Sequence, residues 1–339
     1  MNKLSALLLG IAATILPSAL PAAIPTTSSD QHAYVAVGGS VWLVDILTGE
    51  RGVVSGTDLM TFTVTGTGPS FLGATNERVS DVLIEDSTNL IVSAGSRLFR
   101  VNRADGTRTG INASALTYSG SSINDNIYAM EWLSPGVIVA LVEGFGRSWI
   151  LRIQLSDLST TILSDSTQVA TPKVGGGYGS DLHLDSASNE LSYMDFSGRT
   201  LFRMSTVSPY TLTQVSTLDT PYAISVARLG ANDYLLGKFD GSGRGFLRYN
   251  ALTDTHTQLT ISGGPGFPTL GEFDVFDNGI VLALDTDGGR LYRVNLATNT
   301  AVAVPNQTPF FGGFDYSSGS GLRLLNKAAN VGVADWATY

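Results

Sequence analysis

Residues 96–110 read SRLFRVNRADGTRTG. Leu98, Arg100 and Asn102 alternate with Phe99 and Val101, which is the period of a strand. Asp105-Gly106 follows as a tight-turn dipeptide, and a Thr-rich stretch returns from it. The pattern recurs: SVWLVDILTGERGVV begins at 40, WILRIQLSDLSTTIL at 149, TLFRMSTVSPYTLTQV at 200, GFLRYNALTDTHTQL at 245 and RLYRVNLATNTAVAV at 290. Aligning the six copies on the mid-strand arginine gives Leu43, Arg100, Arg152, Arg203, Arg248 and Arg293, at spacings of 57, 52, 51, 45 and 45 residues.

A second pattern precedes each of the last five copies: strand, short polar turn, strand. It reads DVLIEDSTNLIVSAG from 81, AMEWLSPGVIVALVEG from 129, DLHLDSASNELSYMD from 181, AISVARLGANDYLLGKF from 223 and EFDVFDNGIVLALD from 272. Each period therefore holds four strands, a to d. A repeat of this length with four short strands predicts the blade of a β-propeller, and six blades stacked radially bury one another's faces. The first copy is preceded by one strand only, AYVAVG, while FGGFDYSSGSGLRLLN follows the last. The expectation is an all-β, six-bladed propeller of four-stranded antiparallel blades. An a strand from the C-terminal segment completes the N-terminal blade. KAANVGVADWATY, after it, has no place in the repeat.

Composition agrees with many strands and turns. The 339 residues include 38 Gly, and charged residues are only 14%. No Cys is present, so packing and pairing must close the ring without disulfides. The formal net charge of −9 disfavours nucleic acid as a partner. Lys3, the apolar run 4–16 and the small residues up to Ala23 read as a signal peptide over 1–23, leaving 24–339 as a single exported propeller, secreted or periplasmic. No second apolar stretch is long enough to span a membrane, and a monomer is expected. Asn112 and Asn306 match the glycosylation acceptor pattern, which has meaning only in a eukaryotic source.

This repeat resembles the six-bladed propeller superfamily that includes TolB-like, NHL-repeat and SMP-30/gluconolactonase-type proteins. The resemblance covers nearly the whole mature chain. It implies a binding platform or a lactonase-like hydrolase, with a divalent cation in the central channel of many members. The gluconolactonase-type cation site uses a Glu, an Asp and asparagines on the inner strands. No asparagine stands at the aligned positions here, so no ligand is carried over.

The a strands align into columns. The first reads Asp81, Ala129, Asp181, Ala223, Glu272 and Gly313; two residues on, the next reads Leu83, Glu131, His183, Ser225, Asp274 and Asp315. Asp81, Asp181 and Glu272 alternate with small residues and are candidate ligands for Ca²⁺ or another divalent cation, since hard oxygen donors suit such ions. The other reading is a hydrated channel without metal. Carboxylates sharing a channel repel, so neutral isosteres at these three positions should stabilise the metal-free fold. His183, beside carboxylates, is the one candidate general base, or else a histidine satisfied by a neighbouring acid.

The b–c turns carry Arg97, Arg147, Arg199, Arg244 and Arg290. These form a candidate collar for an anionic ligand, with Tyr178, Tyr222 and Phe267 as stacking surfaces at the channel mouth; the alternative is arginines that hold blades together or stay solvated. The mid-strand arginines read as packing or inter-blade pairing residues. The long connection from Ser55 to Val79 is a candidate specificity loop. Two functions stand: a non-enzymatic propeller that binds a protein or small-molecule ligand on its loop-rich face, or a metal-assisted lactonase, hydrolase or lyase.

Overall fold

In the computed structural model, the described residues run from His32 to Leu324; residues 1–31, 72–78, 166–180, 306–320 and 325–339, and shorter pieces of other loops, lie outside them. Six antiparallel sheets form the blades. Blade 2 comprises Val79–Ile84, Asn89–Ala94, Arg97–Asn102 and Arg108–Gly110 as strands a to d, and blades 3 to 6 repeat this order over 126–165, 182–214, 223–258 and 270–303. Blade 1 has the order Gly321–Leu324, His32–Val37, Ser40–Asp45, Arg51–Thr57, with the short Val64–Thr65 added outside. Successive a strands touch one another around the ring, and that of blade 6 touches Gly321–Leu324, so the ring closes.

The a strand of blade 1 is thus drawn from the far end of the chain. Ala33, Tyr34, Val35 and Ala36 pair with Leu324, Arg323, Leu322 and Gly321. This is the closure expected from the repeat, but the strand sits later than the aligned Gly313 and Asp315, which lie outside the described residues.

Each blade stands edge-on to the axis, so its two faces look at neighbouring blades. Alternation along the strands therefore produces six apolar seams instead of one central core. Val35, Trp42 and Val44 of blade 1 meet Leu282 and Leu291 of blade 6. Tyr34 and Leu43 meet Val82 and Val92. Leu83 and Ile91 meet Met130 and Leu151, and Ala129 and Leu141 meet Leu182 and Tyr193. Ala227 and Phe246 meet Phe273 and Ala283. The seam between blades 4 and 5 gathers Met194 and Leu201 against Val226, Tyr234, Leu236 and Tyr249. A fully buried Val or Leu stabilises by about 1.5–3 kcal/mol, so the ring is held by these seams.

The c–d turns show how the repeated sequence sets its geometry. Asp45, Asn102, Asn250 and Asn295 each accept two backbone N–H bonds from residues two and three positions on, for example Leu47 N and Thr48 N on Asp45 Oδ1. The turn then reverses through a left-handed residue, Gly49, Gly106, Leu158, Tyr210, Asp254 or Asn299. Only two of the six are glycine, the residue that takes this conformation at least cost.

Arg108 and Arg97 give the long connection of blade 1 a structural task. Arg108 is buried; its Nε donates to Pro69 O at 2.7 Å and its Nη1 to Thr65 O at 2.8 Å, and its guanidinium lies 5.3 Å from the centre of the Phe71 ring. Arg97 Nη2 donates to Phe71 O at 2.6 Å. Gly66 and Gly68 take φ of 75° and 103° and lie so close to the backbone of Gly106 and Arg108 that a Cβ on either would collide with a carbonyl. Residues 64–71 are therefore a strap that binds blade 1 to the outer strand of blade 2.

Two outcomes are expected. A chain truncated before Gly321 leaves the Ala33–Ala36 edge without its partner; it should be recovered as aggregate, whereas a soluble product with the full-length melting temperature would contradict the closure. Leu158→Gly removes a left-handed leucine (φ 59°) and should raise stability by about 1 kcal/mol. Asp254→Gly should instead lower it, because Asp254 Oδ1 accepts the Tyr249 hydroxyl at 2.6 Å. Urea unfolding of both variants checks the opposite signs.

Candidate functional site

Register fixes which residues share a level around the ring. Arg100 pairs with Ile91, and Ile91 with Leu83. The same two steps lead from Arg152 to Val139 and Glu131, and from Arg203 to Ser192 and His183. They lead from Arg248 to Leu235 and Ala227, and from Arg293 to Leu282 and Asp274. In blade 1 the row is Leu43, Tyr34 and Arg323. Blade 5 therefore presents Ala227 at the level of His183, and Ser225, not Ala223, at the level of Asp81. The two-residue difference lies in the alignment and not in the strand, since blades 2 and 3 carry the same bulge at the same level, between Val79 and Asp81 and between Ile127 and Ala129. Acid and small residue still alternate: Asp81, Ala129, Asp181, Ser225, Glu272 and, in blade 1, Gly321.

This column faces the next blade as well as the axis, as the packing of Leu83 against Met130 shows. Asp81 shows the consequence. Its carboxylate is buried; Oδ1 accepts Val82 N at 2.7 Å and Oδ2 accepts Met130 N at 2.7 Å. Those N–H groups belong to the inner edges of adjoining a strands, where no further strand can satisfy them. Asp81 thus joins blade 2 to blade 3 at the ring's inner rim. Asp274 Oδ1 accepts Val275 N at 2.9 Å in blade 6. Asp181 and His183 are buried and Glu272 is half-buried. Among the described residues, no three His, Asp or Glu side chains converge as a set that could hold a metal ion.

Three of the mid-strand arginines are tied within their own blades. Arg100 Nε and Nη2 donate to the two oxygens of Glu85, both at 2.6 Å. Arg203 lies 3.6 Å from Glu190, and Arg248 lies 3.3 Å from Asp233. Glu190 and Asp233 each stand two residues along on the same face, the diagonal neighbour of a cross-strand pair, whereas Glu85 lies just past the a strand, two strands from Arg100. Arg228 crosses between blades: its Nη1 meets Asp185 Oδ2 at 2.8 Å and Glu190 Oε2 at 2.9 Å.

Of the collar, Arg97 is committed to the strap. Arg199 is half-buried in its turn with φ 53°, and Arg290 is exposed, opposite Asp285. Tyr178, Tyr222 and Phe267, and the side chains of Arg147 and Arg244, lie outside the described residues.

A column that the arginine and a-strand alignments passed over lies on the b strands. Three residues beyond the shared row, toward the b–c turns, stand Val37, Ala94, Val142, Asp195, Lys238 and Asp285. Blades 1 to 3 place an apolar residue here. Blades 4 to 6 place a charge, with Asp195 4%, Lys238 9% and Asp285 5% exposed. Lys238 faces blade 4, on the sheet opposite the one that carries Asp181. Arg199 and Arg290 follow Asp195 and Asp285 in the next turns, so buried charges of both signs underlie the loop-bearing face on one half of the ring.

Asp81→Asn should lower stability by about 2 kcal/mol, because the amide can accept only one of the two N–H bonds and opposes the other with a donor. That reverses the sign expected from carboxylate repulsion. Urea unfolding with chelator and with Ca²⁺ checks it; a more stable variant would show that Asp81 is not the clamp.

No family model matches the chain, and no curated protein matches it. Solved structures match its fold. A protein of unknown function from Bacteroides caccae is 13% identical, with a TM-score of 0.56 over 86% of this chain and 99% of that one. Virginiamycin B lyase from Staphylococcus aureus is 15% identical, with a TM-score of 0.52 over 84% of this chain and 87% of that one. TolB from Acinetobacter baumannii is 12% identical, with a TM-score of 0.52 over 87% of this chain and 67% of that one. At such identities the likeness shows the shared propeller fold and nothing finer.

Proposed function

We propose that this propeller is an exported, monomeric binding protein that takes a small-molecule or protein ligand on its loop-bearing face above blades 4 to 6, without turnover. One observation carries the reading: the charged half of the b-strand column, Asp195, Lys238 and Asp285. Burying a charge costs stability even when it is paired. Val37, Ala94 and Val142 at the same level show that the fold does not require charge there. Charge held against that cost, beneath turns carrying Arg199, Arg244 and Arg290, suits recognition of a polar ligand with an anionic group. The arginines would read the anion, and Tyr178 and Tyr222, on the connections entering blades 4 and 5, would supply stacking surface. The apolar N-terminal run behind Lys3 supports export.

The test is a thermal-shift screen of the exported protein against charged small molecules and peptides. A binder at a hundred times its Kd should stabilise by about 2.7 kcal/mol. Arg290→Ala, at an exposed position, should leave the ligand-free melting temperature unchanged and weaken that shift. An unaltered shift in Arg290→Ala and Lys238→Met would move the site elsewhere. Turnover of a lactone or ester that disappears in His183→Ala would replace the binding reading with the hydrolytic one.

A further inference from the structure

The seam between blades 4 and 5 differs from the other five. Among the described residues, blade 4 contributes Met194 and Leu201 to the buried part of its apolar cluster, with half-buried Val215 packed against it. The rest of that face is a polar row running outward from the axis: His183 on strand a, Ser192 on b and Arg203 on c, joined by register. In the other blades the middle place of this row is held by Tyr34, Ile91, Val139, Leu235 or Leu282, and Tyr34 has its hydroxyl bonded to Arg103 Nε at 2.7 Å. Ser192 is therefore the one small polar residue at that level. Tyr234, from blade 5, joins Met194 and Leu201 of blade 4 in the cluster of this seam; one step before the row, the other b strands carry Ala33, Leu90, Ile138, Leu191 and Val281. The two exceptions to the apolar pattern meet at the same seam.

Both are fully buried, at 0% exposure. Ser192 Oγ, Tyr234 OH and Arg203 Nε are buried atoms that bond to no protein group. A buried polar atom left so costs about 1–3 kcal/mol, and three at one place are not a feature a fold keeps. We propose that this seam holds an internal water molecule bound by Ser192 Oγ, Tyr234 OH and Arg203 Nε.

The donor and acceptor inventory fits. Arg203 Nε–H can only donate, whereas each hydroxyl can donate or accept. Water accepts from Nε–H and from one hydroxyl and donates to the other, giving the three bonds usual for buried water. Charge selects water over an anion. Arg203 and Arg228 at this seam are matched by Asp185 and Glu190, through contacts of 3.6, 2.8 and 2.9 Å, and the buried Lys238 of blade 5 is balanced by the buried Asp181 of blade 4, so no positive excess is left for an anion to neutralise. Burial, the largest influence on it, raises the Tyr234 phenol above its usual range despite the nearby Arg203 and Arg228, which keeps it a neutral hydroxyl.

A double-mutant cycle tests the proposal. With a shared water, Ser192→Ala and Tyr234→Phe should each lower the melting temperature by about 2–4 °C, and the double variant should lose clearly less than the sum, because either change already weakens the same water. In a dry seam each change removes an unsatisfied hydroxyl, so both would raise the melting temperature, and that result overturns the proposal. A crystal structure that orders internal water provides a second readout, independent of variant stability. Density within hydrogen-bond reach of all three atoms is expected. An empty seam, or a site that takes up bromide with an anomalous signal, would overturn it.

Discussion

Four residue pairs between the two ends of the chain, Ala33–Ala36 with Gly321–Leu324, decide whether there is a ring at all. Every other blade is made from contiguous sequence and is complete before the next begins. A blade cannot cover its own faces, so each depends on two neighbours, and the dependence runs round to the place where the chain must meet itself. No cysteine fastens that place. The inner rim adds fasteners of its own: Asp81 spans blades 2 and 3 with two short hydrogen bonds, and Arg228 spans blades 4 and 5 through Asp185 and Glu190. At the outer rim, Arg108 and Arg97 hold the strap of blade 1 on blade 2.

Most of the architecture was legible because it is periodic. The mid-strand arginine aligned six copies correctly, and the strand-turn-strand element before it gave the a and b strands. The column failed where periodicity broke. In blade 5 the a strand starts Ala-Ile-Ser-Val with no acid to mark the column, and only the pairing of Ala227 with Leu235 sets its level. At the C-terminus, Gly313-Phe314-Asp315 mimics Glu272-Phe273-Asp274 of blade 6, whereas the strand that pairs is the plainer Gly321–Leu324. The long connection after Ser55 read as a specificity loop because length alone does not reveal that Arg108, fifty residues on, is tied to its backbone.

The candidate site was legible only in part, for a physical reason. Sequence alternation separates two faces of a strand, but in a propeller both faces meet neighbouring blades, so polarity on one face does not mean exposure to the channel. Asp81 reads as a channel carboxylate in the sequence, and its two oxygens accept backbone N–H groups of two adjoining blades. Asp195, Lys238 and Asp285 became visible only when b strands were compared level by level, since each alone resembles an ordinary charge near a turn. Likewise Ser192 and Tyr234 are ordinary singly; their meaning lies in sharing one seam at places where the other b strands are mostly apolar.

The borrowed strand also orders events in time. During synthesis, blades 2 to 6 can assemble one after another as they emerge, each from local contacts that form quickly. Blade 1 is synthesised first and finished last. Its His32–Val37 edge must wait, open, for a segment that leaves the ribosome after all the others. That strand stays open for nearly the whole duration of making this protein, and what it leaves unpaired is the axis-facing hydrogen-bonding row of Ala33–Ala36.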